Sequence, residues 1–435
     1  MLEKHGGDRA GYKSKYGKEP LDFSANVSPL GLPKGVKEAV ISALEYADQY
    51  PDPKCRALRA GLAKKLALKE EWILCGNGAS DLIERLARVY RPKKALLTAP
   101  TFSEYADALR RVDCQIEEFL LQEKNGFHLT EEILNHIQPD TEILFLCEPN
   151  NPTGLVTERK LLFQIYKKCK EMDCLLVLDE CFSDFLEEEK KSGFLQCLQK
   201  GEKTDHLLLL RAFTKFYGMA GIRLGYAISG EEALLAKMAE AGAAWPVSSL
   251  AQAAGLAALE EESYGRTLKA LIKEERKRLA AGLEELGFTV LSGEANYLCF
   301  YAEDRLAGDN LAGAEQDKEE IEEIKKEIKE EAGWQNSSME EGIESKKELR
   351  EKLWEQGIMI RSCENYSGLG KGWYRIAVRG KEENLRLLKA LKSLKREKTE
   401  DKKKENGEAQ IREKARILEE KREENSRAKE KGERE

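Results

Sequence analysis

From Trp72 to Ile228 short apolar runs alternate with amphipathic stretches. The runs Trp72–Cys75, Ala95–Thr98, Ile143–Cys147, Leu175–Leu178, Leu207–Leu210 and Leu224–Ile228 are bounded by polar turns and predict buried strands. Between them Ser80–Tyr90, Glu104–Val112 and Leu161–Met172 carry helical spacing. Strand–helix alternation of this kind predicts an α/β fold with a mostly parallel sheet covered on both faces. Downstream, Ser248–Glu261 and Thr267–Leu286 predict two helices. Short strands at Phe288–Leu291, Tyr297–Tyr301, Met359–Arg361 and Tyr374–Val378, closed by a helix over Glu382–Leu394, predict a smaller α+β domain. The expected organisation is an N-terminal arm (1–40), a large domain (41–285) and a small domain (286–395).

Two stretches break this pattern. Residues 302–347 hold a Gly-rich polar start and then a charged run with Ile321, Ile324 and Ile328 at helical spacing, which predicts a surface insertion with one charged helix. Residues 396–435 are almost wholly charged, so a disordered or loosely helical tail is expected. These two stretches account for the high share of charged residues, 35%. The net charge of −7 argues against a nucleic-acid footprint, which needs a basic face. No apolar run approaches the roughly 20 residues that span a bilayer. The start of the chain has no apolar signal core. Ten cysteines occur without a C-x-x-C pair or a cluster at metal-ligand spacing, which suits a reducing cytoplasm and no metal.

Polar motifs follow the strand ends, where open α/β sheets bind ligands. Lys215 lies in Arg211-Ala-Phe-Thr-Lys-Phe-Tyr-Gly-Met-Ala-Gly-Ile-Arg-Leu-Gly-Tyr226, with Arg223 eight residues further on. An uncharged lysine amine forms imines with aldehydes, and a guanidinium binds phosphate as a fork. Cys75-Gly-Asn-Gly-Ala-Ser-Asp81 follows a strand and opens a helix, so Gly78, Ala79 and Ser80 can offer amides to a phosphate, or simply cap the helix. Asp179 ends the run Leu175-Leu-Val-Leu-Asp179 and reads either as a helix cap or as a carboxylate for a protonated ring nitrogen. Asn151, in the turn Asn150-Asn-Pro-Thr-Gly154, can donate to a phenolate oxygen, and Phe102 can stack on a ring or fill a core. Amine, phosphate site, carboxylate and ring partner are together what pyridoxal 5'-phosphate (PLP) requires.

In order and spacing these motifs resemble the fold-type I PLP enzymes, classes I and II of the aminotransferases, over about residues 1–395. The resemblance implies the aspartate-aminotransferase fold and a catalytic role for Lys215 as the lysine that carries PLP. It further implies that Asp179 holds the pyridine nitrogen, and that Thr214, Arg223 and residues 78–80 hold the phosphate. Tyr50 is implied to reach the cofactor phosphate of a neighbouring subunit, which makes the enzyme a homodimer. Within the family, His5-Gly-Gly7, Asp22-Phe-Ser-Ala-Asn26, Tyr50-Pro-Asp52, Ile360-Arg-Ser-Cys363 and Tyr374-Arg-Ile-Ala-Val-Arg379 are similar to a branch that decarboxylates a small phosphorylated amino acid. For that substrate His5, Gly6, Asn26, Asn151, Arg361 and Arg375 are the implied pocket. The neighbouring branch, the histidinol-phosphate aminotransferases, is the alternative; it typically has a tyrosine where this chain has Phe182. Ala212 and Ser248 also depart from the usual pattern, which has a hydroxyl residue and an asparagine at these positions.

Overall fold

The computed structural model describes residues 5–202, 204–302 and 348–395. The charged part of the insertion and the whole tail lie outside the described residues. By its contacts the chain divides into two units, the first comprising residues 1–303 and 353–385 and the second 304–352 and 386–435. In the second unit the described residues beyond Glu348 are helical, and Leu349, Leu387, Leu391 and Leu394 are buried.

The first unit contains thirteen strands among its described residues. In chain order they are β1 (Leu21–Asp22), β2 (Ile73–Gly76), β3 (Lys94–Ala99), β4 (Gln115–Leu120), β5 (Ile143–Cys147), β6 (Leu175–Asp179), β7 (Leu207–Ala212), β8 (Gly225–Ile228), β9 (Thr289–Val290), β10 (Tyr297–Tyr301), β11 (Ile358–Met359), β12 (Arg361–Ser362) and β13 (Trp373–Ala377). Seven form one sheet in the order β2-β8-β7-β6-β5-β3-β4, parallel except for β8, which runs antiparallel to both neighbours. Four form an antiparallel sheet, β12-β13-β10-β9, and β1 pairs with β11 in parallel.

The central strands β5, β6 and β7 are apolar up to their last residues, where Asp179 and Arg211 stand, because both their faces are covered. The period of two sorts their side chains. Leu144, Leu146, Leu176, Leu178, Leu207 and Leu209 enter one core, shared with Leu58 and Leu62 of the helix Arg56–Leu66 and Leu162 and Ile165 of Arg159–Glu171. Ile143, Phe145, Leu175, Val177, Leu208 and Leu210 enter the other, with Leu82, Ile83 and Leu86 of the helix Ala79–Tyr90. Two-sided burial stabilises this sheet by about 25 cal/mol per Å² of apolar area removed from water, and it fixes the strand ends to which the polar motifs attach.

Two details differ from the sequence reading. The edge strand β4 is not foreseen, because Gln115-Ile-Glu-Glu-Phe-Leu120 is half polar and half exposed, with no continuous apolar run. The single strand expected over Met359–Arg361 is two: Ile358–Met359 joins β1, and Arg361–Ser362 joins the four-stranded sheet. The helices at 79–90, 104–110 and 159–171 match the expected positions closely.

Candidate active site

The ends of β6, β7 and β2 and the start of β8 converge on one cavity of about 370 Å³ within the first unit. Asp179 is the last residue of β6 and is buried. Lys215 sits in the short helix Phe213–Phe216, which follows β7 directly, and lines the same cavity. Its backbone carbonyl accepts from the Ser28 amide at 2.9 Å, which ties the lysine turn to the N-terminal arm. Burial pulls the Lys215 amine down to a pKa of about 8, assisted by the charge of Arg375. Burial also raises the Asp179 carboxyl, against the lowering effect of its hydrogen bonds with Cys181 and Tyr105.

The turn before helix Ala79–Tyr90 shows why its glycines stand there. Gly78 has φ +84°, and a Cβ on it would meet Nη2 of Arg223 at 2.7 Å. Gly225 opens β8, and a Cβ there would meet the Ala79 amide nitrogen at 2.7 Å. The arginine and the free amides of the helix start are thereby held side by side. Ala79, Ser80, Thr214 and Arg223 line the cavity.

A second group of residues comes from the four-stranded sheet and the N-terminal arm. Arg361 and Arg375 are register partners on β12 and β13, and both are buried and line the cavity. Nη1 of Arg375 donates to Oδ1 of Asn151 at 2.5 Å and Nη2 donates to the Ser24 carbonyl at 2.9 Å. Nη2 of Arg361 donates to Asn365 at 2.8 Å, and its guanidinium lies 5.5 Å from the Tyr366 ring centre. His5 lies against Glu104, Nε2 to Oε1 2.8 Å. Its segment is docked by Gly6, where a Cβ would meet the Ser24 carbonyl oxygen at 2.2 Å, and by the Gly7 amide donating to Ser24 Oγ at 2.8 Å. The His5-Gly-Gly7 motif is thus a close fit against Asp22–Asn26.

The cavity therefore brings together His5, Gly6, Asn26, Ala79, Ser80, Phe102, Asn151, Asp179, Thr214, Lys215, Arg223, Arg361 and Arg375. Two expected residues are not in its lining. Gly78 stands one residue behind it. Tyr50 is 79% exposed on the surface, stacked on Trp245 with ring centres 4.3 Å apart. Sequence reasoning missed Tyr105, whose hydroxyl donates to Oδ2 of Asp179 at 2.6 Å, and Glu104 beside His5. Both follow Phe102 within three residues, but a tyrosine and a glutamate opening a helix carry no signal of their own.

The donor set fits PLP. An amine of lowered pKa can meet its aldehyde, and a buried carboxylate can face a ring nitrogen. A helix start with a guanidinium can take its phosphate. Oδ1 of Asn26 and Nε of Arg375 are buried in the cavity wall with no protein partner among the described residues, as expected where a polar ligand completes the site.

Residues 18–391 match the aminotransferase class I and II family, and the chain belongs to that family. Its cofactor is PLP, and its fold is that of aspartate aminotransferase. Threonine-phosphate decarboxylase of Salmonella typhimurium is 36% identical over 394 residues, 90% of this chain and 96% of that protein. An adenosylcobalamin biosynthesis bifunctional protein of Leptospira interrogans is 29% identical over 90% of this chain, which corresponds to 41% of that longer protein. The crystal structure of histidinol-phosphate aminotransferase from Sinorhizobium meliloti in complex with PLP superposes with a TM-score of 0.72, covering 90% of this chain and 95% of that one. At 18% identity this is a likeness of fold. Among the described residues no helix is long and apolar enough to cross a membrane.

Proposed function

We propose that this chain is a PLP-dependent carboxy-lyase that converts O-phospho-L-threonine to (R)-1-amino-2-propanol O-phosphate in adenosylcobalamin biosynthesis. We place it in the cytoplasm as a homodimer, organised as a large domain over 41–285 and a small one over 286–395. The observation that carries the reading is the pair of buried arginines, Arg361 and Arg375, in the same cavity as Lys215 and Asp179. The substrate bears two anionic groups. Two guanidiniums with His5 and Asn26 can pair with both.

When bound, PLP supplies an aldehyde for Lys215 and a ring that takes up the electron pair released as a bond at the substrate's Cα breaks. The protein decides the rest. Ala79, Ser80, Thr214 and Arg223 would hold the cofactor phosphate, and Phe102 would pack against its ring. Asp179 would hold a proton on the ring nitrogen, and Asn151 would donate toward the phenolate oxygen. With its pKa near 8, Lys215 is neutral in about a tenth of molecules at pH 7, so an attacking amine is available. Arg375 takes the substrate carboxylate. Arg361, His5 and Asn26 take its phosphate; Glu104 engages Nε2 of His5 and leaves Nδ1 for that task. Held at both ends by these residues, the substrate would have its Cα–carboxylate bond fixed in one orientation within the site, so that this bond rather than Cα–H is the one that breaks. Once the carboxylate is lost as carbon dioxide, Lys215 in its protonated ammonium form would donate a proton to Cα as general acid.

Phe182 supports decarboxylation over transamination of a phosphorylated amine, because it lines the cavity without a hydroxyl for the phenolate oxygen. The ten free thiols suit a reducing compartment. The test is the purified enzyme with O-phospho-L-threonine. Sustained carbon dioxide release without a keto acid is expected, whereas glutamate formation that requires 2-oxoglutarate would overturn the proposal.

A further inference from the structure

Tyr105 lies behind the site, absent from the cavity lining and fully buried. Its ring is stacked on Phe145 (centres 5.0 Å apart, 19° between planes) and meets Phe102 edge-on (5.6 Å, 82°). Nothing in that apolar slot requires a hydroxyl. The hydroxyl nevertheless ends 2.6 Å from Oδ2 of Asp179, as donor, while Oδ1 accepts the Cys181 amide at 3.0 Å. Burial and the neighbouring carboxylate push the tyrosine's own ionisation well upward, so it stays protonated and able to donate.

We propose that Tyr105 is a positioning residue that fixes the Asp179 carboxylate and holds the shared proton on the cofactor's ring nitrogen rather than on the carboxylate. This rests on the reading that Asp179 faces that nitrogen. The physical reason is direct. A carboxylate buried in an apolar wall favours its neutral form, and a proton taken from the ring would give it that form. Two donated hydrogen bonds stabilise the charged form instead. The proton then remains on the ring, which is the state that accepts electrons at Cα best. Tyr105 also restricts rotation of the carboxylate about its own bond, because the tyrosine ring cannot turn out of its slot between Phe102 and Phe145.

The test compares the holoenzyme with Tyr105→Phe, which keeps the ring packing and removes only the hydroxyl. The bound cofactor's visible absorption titrates with pH, and its midpoint rises when the ring nitrogen loses its proton. The midpoint is expected to move up by about one pH unit. kcat is expected to fall about tenfold, with KM within about twofold of the wild type. In an Asp179→Asn background the same change should shift the midpoint no further. If Tyr105→Phe gives no soluble holoenzyme, a fluorotyrosine placed at 105 tests the same bond. As a stronger donor of the same shape, it should move the midpoint down. An unchanged midpoint in an enzyme that retains its visible band overturns the role of Tyr105 and leaves the proposed function standing. Absence of the band from the wild type overturns both.

Discussion

Arg375 donates to Oδ1 of Asn151 at 2.5 Å, and this single bond ties β13 of the four-stranded sheet to the turn that follows β5. The same guanidinium donates to the Ser24 carbonyl at 2.9 Å, so three segments remote in sequence meet at one side chain. Asn151 has its amide oxygen occupied and its NH2 group free to point at a ligand. Arg375→Ala should lower kcat/KM for the phosphorylated amino acid about 100-fold or more, through loss of a carboxylate partner worth roughly 2–5 kcal/mol. Arg375→Lys should recover only part of that, since an ammonium cannot serve Asn151, Ser24 and a carboxylate in one plane. Steady-state kinetics on the three enzymes checks both expectations.

Lys215 gives a pH signature. Its pKa is lowered to about 8, with burial the largest cause and the Arg375 charge next. A lowered amine is neutral above its pKa and charged below. The rate at which apoenzyme takes up PLP should therefore rise about tenfold per pH unit below 8 and level off above it. Removing the Arg375 charge should move that midpoint upward, because one of the cations that disfavour the lysine's protonated form is gone. Stopped-flow absorbance of apoenzyme mixed with PLP measures both effects.

The legible part of the site was the part written in short, local words. Lys215, Asp179, Asn151 and the Gly78–Ser80 turn each end or follow an apolar run and Arg223 stands just before one, and the burial of those runs on both faces fixes where the words end. What could not be read is lateral. β4 carries no continuous apolar run, because three of its six residues, Gln115, Glu118 and Leu120, are exposed. The division of the expected strand at 359–361 between two sheets depends on pairing partners more than 300 residues away for β1 and none of that distance for β13. Tyr105 was invisible because its task depends on a carboxylate 74 residues further along the chain.

Glu148 is fully buried at the end of β5, with the Thr157 amide donating to its carboxylate at 2.8 Å. Burial raises its pKa to about 8, and the charge of Glu180 adds to the effect. The folded protein thus binds this proton more tightly than the unfolded chain does. Its contribution is fully present below the ordinary carboxyl pKa and is lost as pH rises toward 8, a change on the order of a few kcal/mol. Glu148→Gln should remove this dependence. Melting temperatures of the two proteins should converge near pH 5 and separate by several degrees (about 2–6 °C) at pH 8.5, with the variant the more stable.

Ile41, Leu44, Tyr46 and Tyr50 are each more than half exposed, and Trp245, stacked on Tyr50, is 47% exposed. Exposed apolar side chains of this kind suit an interface with a second copy of the chain. Under the proposed dimer, Tyr50 serves the partner's cofactor phosphate. Ile41→Glu with Leu44→Glu should give a monomer in analytical ultracentrifugation and weaken PLP binding at least about tenfold, although neither residue lines the cavity. Tyr50→Phe should weaken PLP binding while leaving the dimer intact.

Gly225 isolates the phosphate cradle from the rest of the site. A Cβ on it would lie 2.7 Å from the Ala79 amide nitrogen, 2.8 Å from the Gly78 carbonyl carbon and 3.0 Å from the Arg211 carbonyl oxygen. All three are backbone atoms, and none can swing aside as a side-chain tip would. Gly225→Ala must therefore push the start of helix Ala79–Tyr90 away from β8 by several tenths of an ångström, and the amides that face the phosphate move with it. Overpacking of this kind costs about 1–3 kcal/mol of fold stability. The dissociation constant for PLP should rise about tenfold or more, since charge-assisted hydrogen bonds weaken steeply with distance. Equilibrium dialysis of PLP against the variant, compared with pyridoxal lacking the phosphate, separates the two effects. The variant should lose affinity for PLP and bind pyridoxal as the wild type does. Equal losses for both ligands would mean that the substitution disturbs the lysine and ring contacts rather than the phosphate cradle.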